Sequence, residues 1–155
     1  MAFYYQHTQP CRLLRMITGL SVLFSLMLVI GLYFDGYDLA QALPGMGLFI
    51  IALFLVLALF HALTVRVSED RIDLSFGIGL IRKRIAIEDI ESSSDVKNRW
   101  YYGWGIRKIK SGWMFNVSGF DAVEIRCGNG RRFRIGTDEP RKLLKAIESA
   151  TAAKV

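Results

Sequence analysis

A helical hairpin long enough to cross a bilayer, followed by a small α+β domain, is the architecture this sequence predicts. Three observations carry it. Two runs free of Asp, Glu, Lys and Arg, Met16 to Phe34 and Gly45 to Val65, are 19 and 21 residues long. As helices they reach about 28 and 32 Å, against a hydrocarbon core of about 30 Å. From Arg66 to Val155 the pattern changes to short alternating stretches broken by glycine turns, closing in one amphipathic segment.

Residues 1–65 therefore read as an N-terminal tail and a transmembrane hairpin, with spans at about 16–34 and 45–65, and residues 66–155 as one domain. The first part is neutral, because Arg12 and Arg15 balance Asp35 and Asp38, whereas the second holds 18 Lys/Arg against 12 Asp/Glu. Both N-terminal arginines precede the first run, Arg66 follows the second, and the connecting loop Asp35–Pro44 has no Lys or Arg. The positive-inside bias then places both termini in the cytoplasm and the loop outside. A cleaved signal peptide, with Ala40-Gln41-Ala42 as its processing site, is the rival reading of the first run. A 19-residue stretch exceeds the roughly 7 to 15 residues of a signal core, so an uncleaved span is expected.

The runs read as anchors, since neither holds the acidic or basic groups of an ion path. His61, about one turn before Arg66, belongs at the cytoplasmic interface, and Tyr33, Phe34 and Tyr37 at the outer aromatic belt. Ser21 with Ser25, and Ala58 with Ala62, have the four-residue spacing that lets helices approach. Cys11 and Cys127, in a reducing compartment, are expected to remain thiols.

Along the domain, Thr64 to Ser68 already alternates like a strand, so no linker separates it from the membrane. Glu69-Asp70 reads as a turn, Arg71 to Phe76 as a strand with Ile72, Leu74 and Phe76 on one face, and Gly77 and Gly79 as a reversal. Leu80 to Ile85 is a strand, Ala86 to Ile90 a bend and a further strand, and the serine-rich Glu91 to Asn98 a loop. Strands follow over Trp100–Trp104, Ile106–Ile109, Trp113–Val117, Ala122–Cys127 and Arg131–Ile135, with Gly128-Asn129-Gly130 as a hairpin turn. The last segment is a helix with Thr137 or Asp138 as N-cap, Pro140 in its first turn, and Leu143, Leu144 and Ile147 on one face. Short strands at this spacing predict a small, strongly bent sheet whose open end the helix caps.

The chemistry of most enzymes is missing. From Arg66 onward there is no histidine and one cysteine, which removes the base of a Ser-His-Asp or Cys-His site and the nitrogen ligands of most zinc sites. His7 and Cys11 alone do not make a metal site, and the glycine pairs lack the third glycine and helix of a dinucleotide loop. Asp121 and Glu124 are the carboxylates nearest to acid/base chemistry, yet Glu124 is expected to face solvent opposite Val123 and Ile125. The sequence thus predicts a protein that is not an enzyme and uses no cofactor or metal. Nucleic acid is set aside as well, for want of a recognition helix or an RNA-binding aromatic signature.

Two sets of residues remain as binding candidates. The basic groups Arg82, Lys83 and Arg84, then Arg107, Lys108 and Lys110, then Arg131, Arg132 and Arg134, are either a solvated face or contacts for anionic lipid headgroups, at about 1 kcal/mol per charge near the surface. All three tryptophans lie within 14 positions, in Trp100-Tyr101-Tyr102-Gly103-Trp104 and Trp113. Alternation puts Trp100, Tyr102 and Trp104 on one face. Core packing is the first explanation, and a protein contact or bilayer-facing surface the sharper one.

The runs Trp100 to Arg107, Gly112-Trp113-Met114-Phe115-Asn116-Val117-Ser118-Gly119, and Gly130 to Pro140 resemble those of small bacterial membrane proteins. In that group two spans precede a bacterial pleckstrin-homology-like domain, and the likeness covers about Val65 to Glu148. It implies a bent antiparallel sheet of about seven strands with a C-terminal capping helix, in the bacterial inner membrane, and no catalytic residue. Eukaryotic phosphoinositide-binding members use basic residues around the first hairpin loop. Here that loop, Ser68-Glu69-Asp70-Arg71, is short and acidic, so that specificity is not implied. The resulting expectation is a membrane-tethered scaffold that binds a protein partner or itself, with anionic lipid recognition as the alternative.

Overall fold

Strand β1 (Phe3–Pro10) passes directly into helix α1 (Arg12–Phe34), and helix α2 (Leu39–Phe60) returns directly into strand β2 (Ala62–Ser68) in the computed structural model, which describes residues 3–154. The two strands pair antiparallel from Pro10 opposite Ala62 to Tyr5 opposite Val67, and the Cys11 amide extends that ladder to the His61 carbonyl at 2.7 Å. The helical hairpin therefore grows out of two neighbouring strands. Asp38 caps α2 by accepting from the Ala40 amide at 3.0 Å. Both helices are long and apolar enough to cross a membrane, and none of their large apolar side chains is buried. Thr18 and Ser25 of α1 are buried, and the Thr18 hydroxyl donates to the Leu14 carbonyl.

After β2 come strands β3 (Arg71–Phe76) and β4 (Ile81–Ala86), a 3-10 turn, and then β5 (Ile90–Lys97), β6 (Gly105–Ile109), β7 (Gly112–Asn116), β8 (Asp121–Cys127), β9 (Arg132–Gly136) and helix α3 (Pro140–Ala152). They form two sheets, ordered β1-β2-β3-β4 and β5-β8-β9-β7-β6. Leu63, Val65 and Val67 of β2, and Ile72, Leu74 and Phe76 of β3, turn one face of the first sheet inward. Val123 and Ile125 of β8, with Phe133 and Ile135 of β9, meet them from the second. Helix α3 closes the barrel-like space with Leu143, Ala146, Ile147 and Ala150, all buried. Burying Leu143 and Ile147 contributes about 2 kcal/mol each.

The layout of two apolar helices, a β-rich region and a closing helix is as the sequence predicts, but the strand count and connections are not. There are nine described strands in two sheets rather than about seven in one, and β9 slots between β8 and β7, pairing antiparallel with the first and parallel with the second. Residues 3–10, read as a tail, supply an edge strand. Ala62 to Val65, read as the end of a span, are already strand, because Leu63 and Val65 enter the core. Glu91 to Asn98 is not a loop: most of it is β5, whose polar side chains are tolerated because one face looks to solvent. Trp100 to Trp104 is not a strand. Gly103 and Gly105 adopt φ of +66° and +101°, which breaks the extended run, and Trp100–Tyr102 coils into a 3-10 turn. The residue preceding α3 is Glu139, and Thr137 helps from two positions back by accepting from its amide.

β1 is tied to α3 by a polar cluster. His7 Nε2 lies 2.6 Å from Asp138, and the Tyr5 hydroxyl is buried without a hydrogen-bond partner. Burial pushes the Tyr5 phenol up to about 12, and the Glu139 and Asp138 carboxylates add to the rise. A raised folded-state pKa means that the folded form resists ionisation. Stability from this group is present below the unfolded phenol's pKa and is lost as pH climbs towards 12. Tyr5→Phe should be no less stable at neutral pH and should lose less on alkaline titration, as followed by denaturant unfolding.

Candidate interaction surfaces

The strands run between a helix end, where the chain enters and leaves the hairpin, and a far end about 20 Å away. Three loops crowd the helix end. In the β3–β4 loop, the Ile78 amide donates to the Ala58 carbonyl at 3.0 Å, so Ile78 lies level with the last turn of α2. In the β5–β6 loop, Trp104 lines an apolar cavity of about 230 Å³ together with Leu13, Leu14 and Ile17 of α1 and Val56 and Phe60 of α2. The β7–β8 loop is held by Gln9, which donates to the Ser118 carbonyl at 3.1 Å.

The aromatic residues singled out by sequence do not form one surface. Trp100 (79% exposed), Tyr101 and Trp104 stand out at the helix end, while Trp113 stands out at the far end of β7. Tyr102 is half-buried, with the Arg134 guanidinium 6.0 Å from its ring centre. Core packing is thus not what Trp100, Trp104 and Trp113 do. Sequence reasoning missed Ile78, Leu80 and Phe120, which are equally exposed at the helix end. The available signal was two apolar residues alternating with glycines in a turn, Gly77-Ile78-Gly79-Leu80.

The basic residues scatter likewise. Arg82 donates to the Gly79 carbonyl at 2.5 Å and Arg107 to the Trp104 carbonyl at 3.2 Å, so both back the helix-end loops. Arg99 joins them by donating to the Tyr101 hydroxyl at 2.6 Å, an arrangement that raises its already high pKa. Lys83 lies over the Phe133 ring, and Arg84 pairs with Asp73, which also holds Arg71. Lys110, Arg131 and Arg132 surround Trp113 in a shallow groove of about 440 Å³ at the far end, near Lys108, which is the register partner of Trp113.

Glu124 does not face open solvent. Its carboxylate receives Arg134 at 2.5 Å (Nη2) and 3.1 Å (Nε), with Arg132 at 3.9 Å, and the Glu124 and Arg134 side chains are 16% and 13% exposed. Arg134 also donates to Asn98 at 3.3 Å. This is a structural ion pair on the outer face of the second sheet. Asp121 sits at the start of β8, 3.8 Å from Lys97. Both cysteines are reduced and buried, and burial chiefly raises the Cys127 thiol pKa. Among the described residues no group of three or more His, Cys, Asp or Glu is arranged to hold a metal ion. Comparison of the chain with family models, curated proteins and solved structures gives no match.

Proposed function

We propose that this chain is a membrane-anchored, non-catalytic binding module. The hairpin α1–α2 crosses a bacterial inner membrane with both termini cytoplasmic, and the nine-stranded domain with its closing helix acts as a pleckstrin-homology-like platform held against the inner leaflet. The observation that carries this is the junction: β1 and β2, neighbours in one sheet, join α1 and α2 through one residue each, Cys11 and His61, which are themselves hydrogen-bonded. Such a joint fixes the height and orientation of the domain above a bilayer, which suits presenting a surface more than turning over a diffusing substrate. The groove around Trp113, pointing away from the helices and flanked by Lys110, Arg131 and Arg132, fits an acidic segment of a protein partner or of a second copy. The alternative, anionic lipid recognition, draws support from Arg82 and Arg107, which donate to carbonyl oxygens of the helix-end loops.

Native mass spectrometry of the full-length protein, gently extracted from its own membranes, tests the platform reading. A heteromer or homo-oligomer is expected, and Trp113→Ala combined with Arg131→Glu should release it. A monomer from both the wild type and the variant would overturn it.

A further inference from the structure

We propose that the three helix-end loops form a collar seated in the headgroup layer of the bilayer that α1 and α2 cross. In this arrangement Ile78, Leu80, Trp100, Tyr101, Trp104 and Phe120 enter the interface, and Arg82, Arg99 and Arg107 meet lipid phosphates behind them. The inference rests on the membrane reading of the hairpin and adds a second point of attachment to it. Outside the hairpin (α1, α2 and the loop that joins them), large exposed apolar side chains among the described residues concentrate at this end: only Tyr4 and Trp113 stand elsewhere. Chance scatter over a domain surface would not place six of eight beside the helices, from three separate loops.

What covers them follows from position. Ile78 is hydrogen-bonded to the last turn of α2, and Trp104 packs beside Ile17 and Val56, inside the lengths of helix that a bilayer would enclose. The collar is thus continuous with the lipid-facing surface of the hairpin. Its chemistry also matches the interface, where tryptophan and tyrosine are enriched and basic side chains reach for phosphate. Each arginine lies one to three residues from an apolar tip and is already anchored to a loop oxygen, through Gly79, Tyr101 or Trp104. A partner protein at this site would have to share the space with headgroups.

The three tryptophans all lie in the domain and none in the spans, so intrinsic fluorescence reads the collar directly. The full-length protein would be reconstituted into phosphatidylcholine/phosphatidylglycerol vesicles, with and without lipid brominated near the carbonyl end of its chains. Trp113→Phe, which keeps Trp100 and Trp104, should lose most of its emission to the brominated lipid and little to aqueous acrylamide. The Trp100→Phe/Trp104→Phe variant, which keeps Trp113, should show the reverse, and the wild type should fall between. Emission of Trp113→Phe that ignores brominated lipid overturns the proposal, whether acrylamide quenches it (a collar in water) or not (a collar covered by protein). Alkaline extraction of the same vesicles separates the two levels: a protein that resists it with an unquenched collar removes only the collar, whereas one that is stripped off removes the membrane reading too.

Discussion

Gly77→Ala should destabilise the protein by on the order of 3 kcal/mol, combining backbone strain with overpacking. Gly77 has φ of +49°, a region that costs any residue with a side chain, and it lies where the β3–β4 loop meets α2. A methyl group there would run into the Ala58 and Leu59 carbonyl oxygens, which belong to the helix backbone and cannot rotate away. The hydrogen bonds at stake are those from the Gly77 amide to Ala62 and from the Ile78 amide to Ala58, and the Phe60–Phe76 edge contact lies beside them. Gly79→Ala is the control. Its φ is also positive, at +87°, but the added methyl meets only the Arg82 guanidinium and the Ser75 hydroxyl, at 3.3–3.4 Å, so strain of about 1 kcal/mol is expected. Denaturant unfolding in micelles, followed by circular dichroism, compares the two. Equal stability of both variants would show that the close approach to α2 is not limiting.

The residues that misled the sequence reading share a physical cause. Alternation revealed β2, β3, β8 and β9 because each has one face in the core, and the period of α3 revealed Leu143 and Ile147 in the same way. β1 and β5 lie at sheet edges, and β5 in particular, with Ser92, Ser93 and Ser94, carries no apolar period to detect. The parallel β7–β9 pairing is a non-local event that no hairpin turn announces. At the surface, Trp100 to Trp104 looked like a strand because five bulky or glycine residues satisfy alternation on paper, while two positive-φ glycines decide otherwise in space. Types of side chain suited to an interface were visible in the sequence. Which of them share one end of the domain became visible only once the strands had directions, and that separated Trp113 from Trp100 and Trp104.

Glu124→Leu should cost about 3 kcal/mol, because it strands the Arg134 guanidinium at a site where water reaches little of it. The pair spans β8 and β9 at directly opposed positions, and Arg134 has only the Asn98 carbonyl oxygen as a further polar partner at hydrogen-bond distance. Loss of a partner and replacement of the pair are different experiments. Glu124→Leu with Arg134→Met removes both charges, and by the general behaviour of buried ion pairs it should return to within about 1 kcal/mol of the wild type or exceed it. The coupling between the two sites in the resulting double-mutant cycle should therefore be about 2 kcal/mol or more. A cycle with no coupling would mean that the carboxylate and guanidinium are independently solvated. If the stable double variant folds, it exposes a second role for the pair. Arg134 holds the Asn98 side chain, and the Asn98 main-chain N–H donates to the Phe120 carbonyl at 2.6 Å, so the pair steadies the β5–β6 and β7–β8 loops together. Those are two of the three loops of the collar. In the double variant, global stability should survive while quenching of Trp100 and Trp104 by brominated lipid weakens, which would separate what keeps the sheet folded from what aims its loops at the membrane.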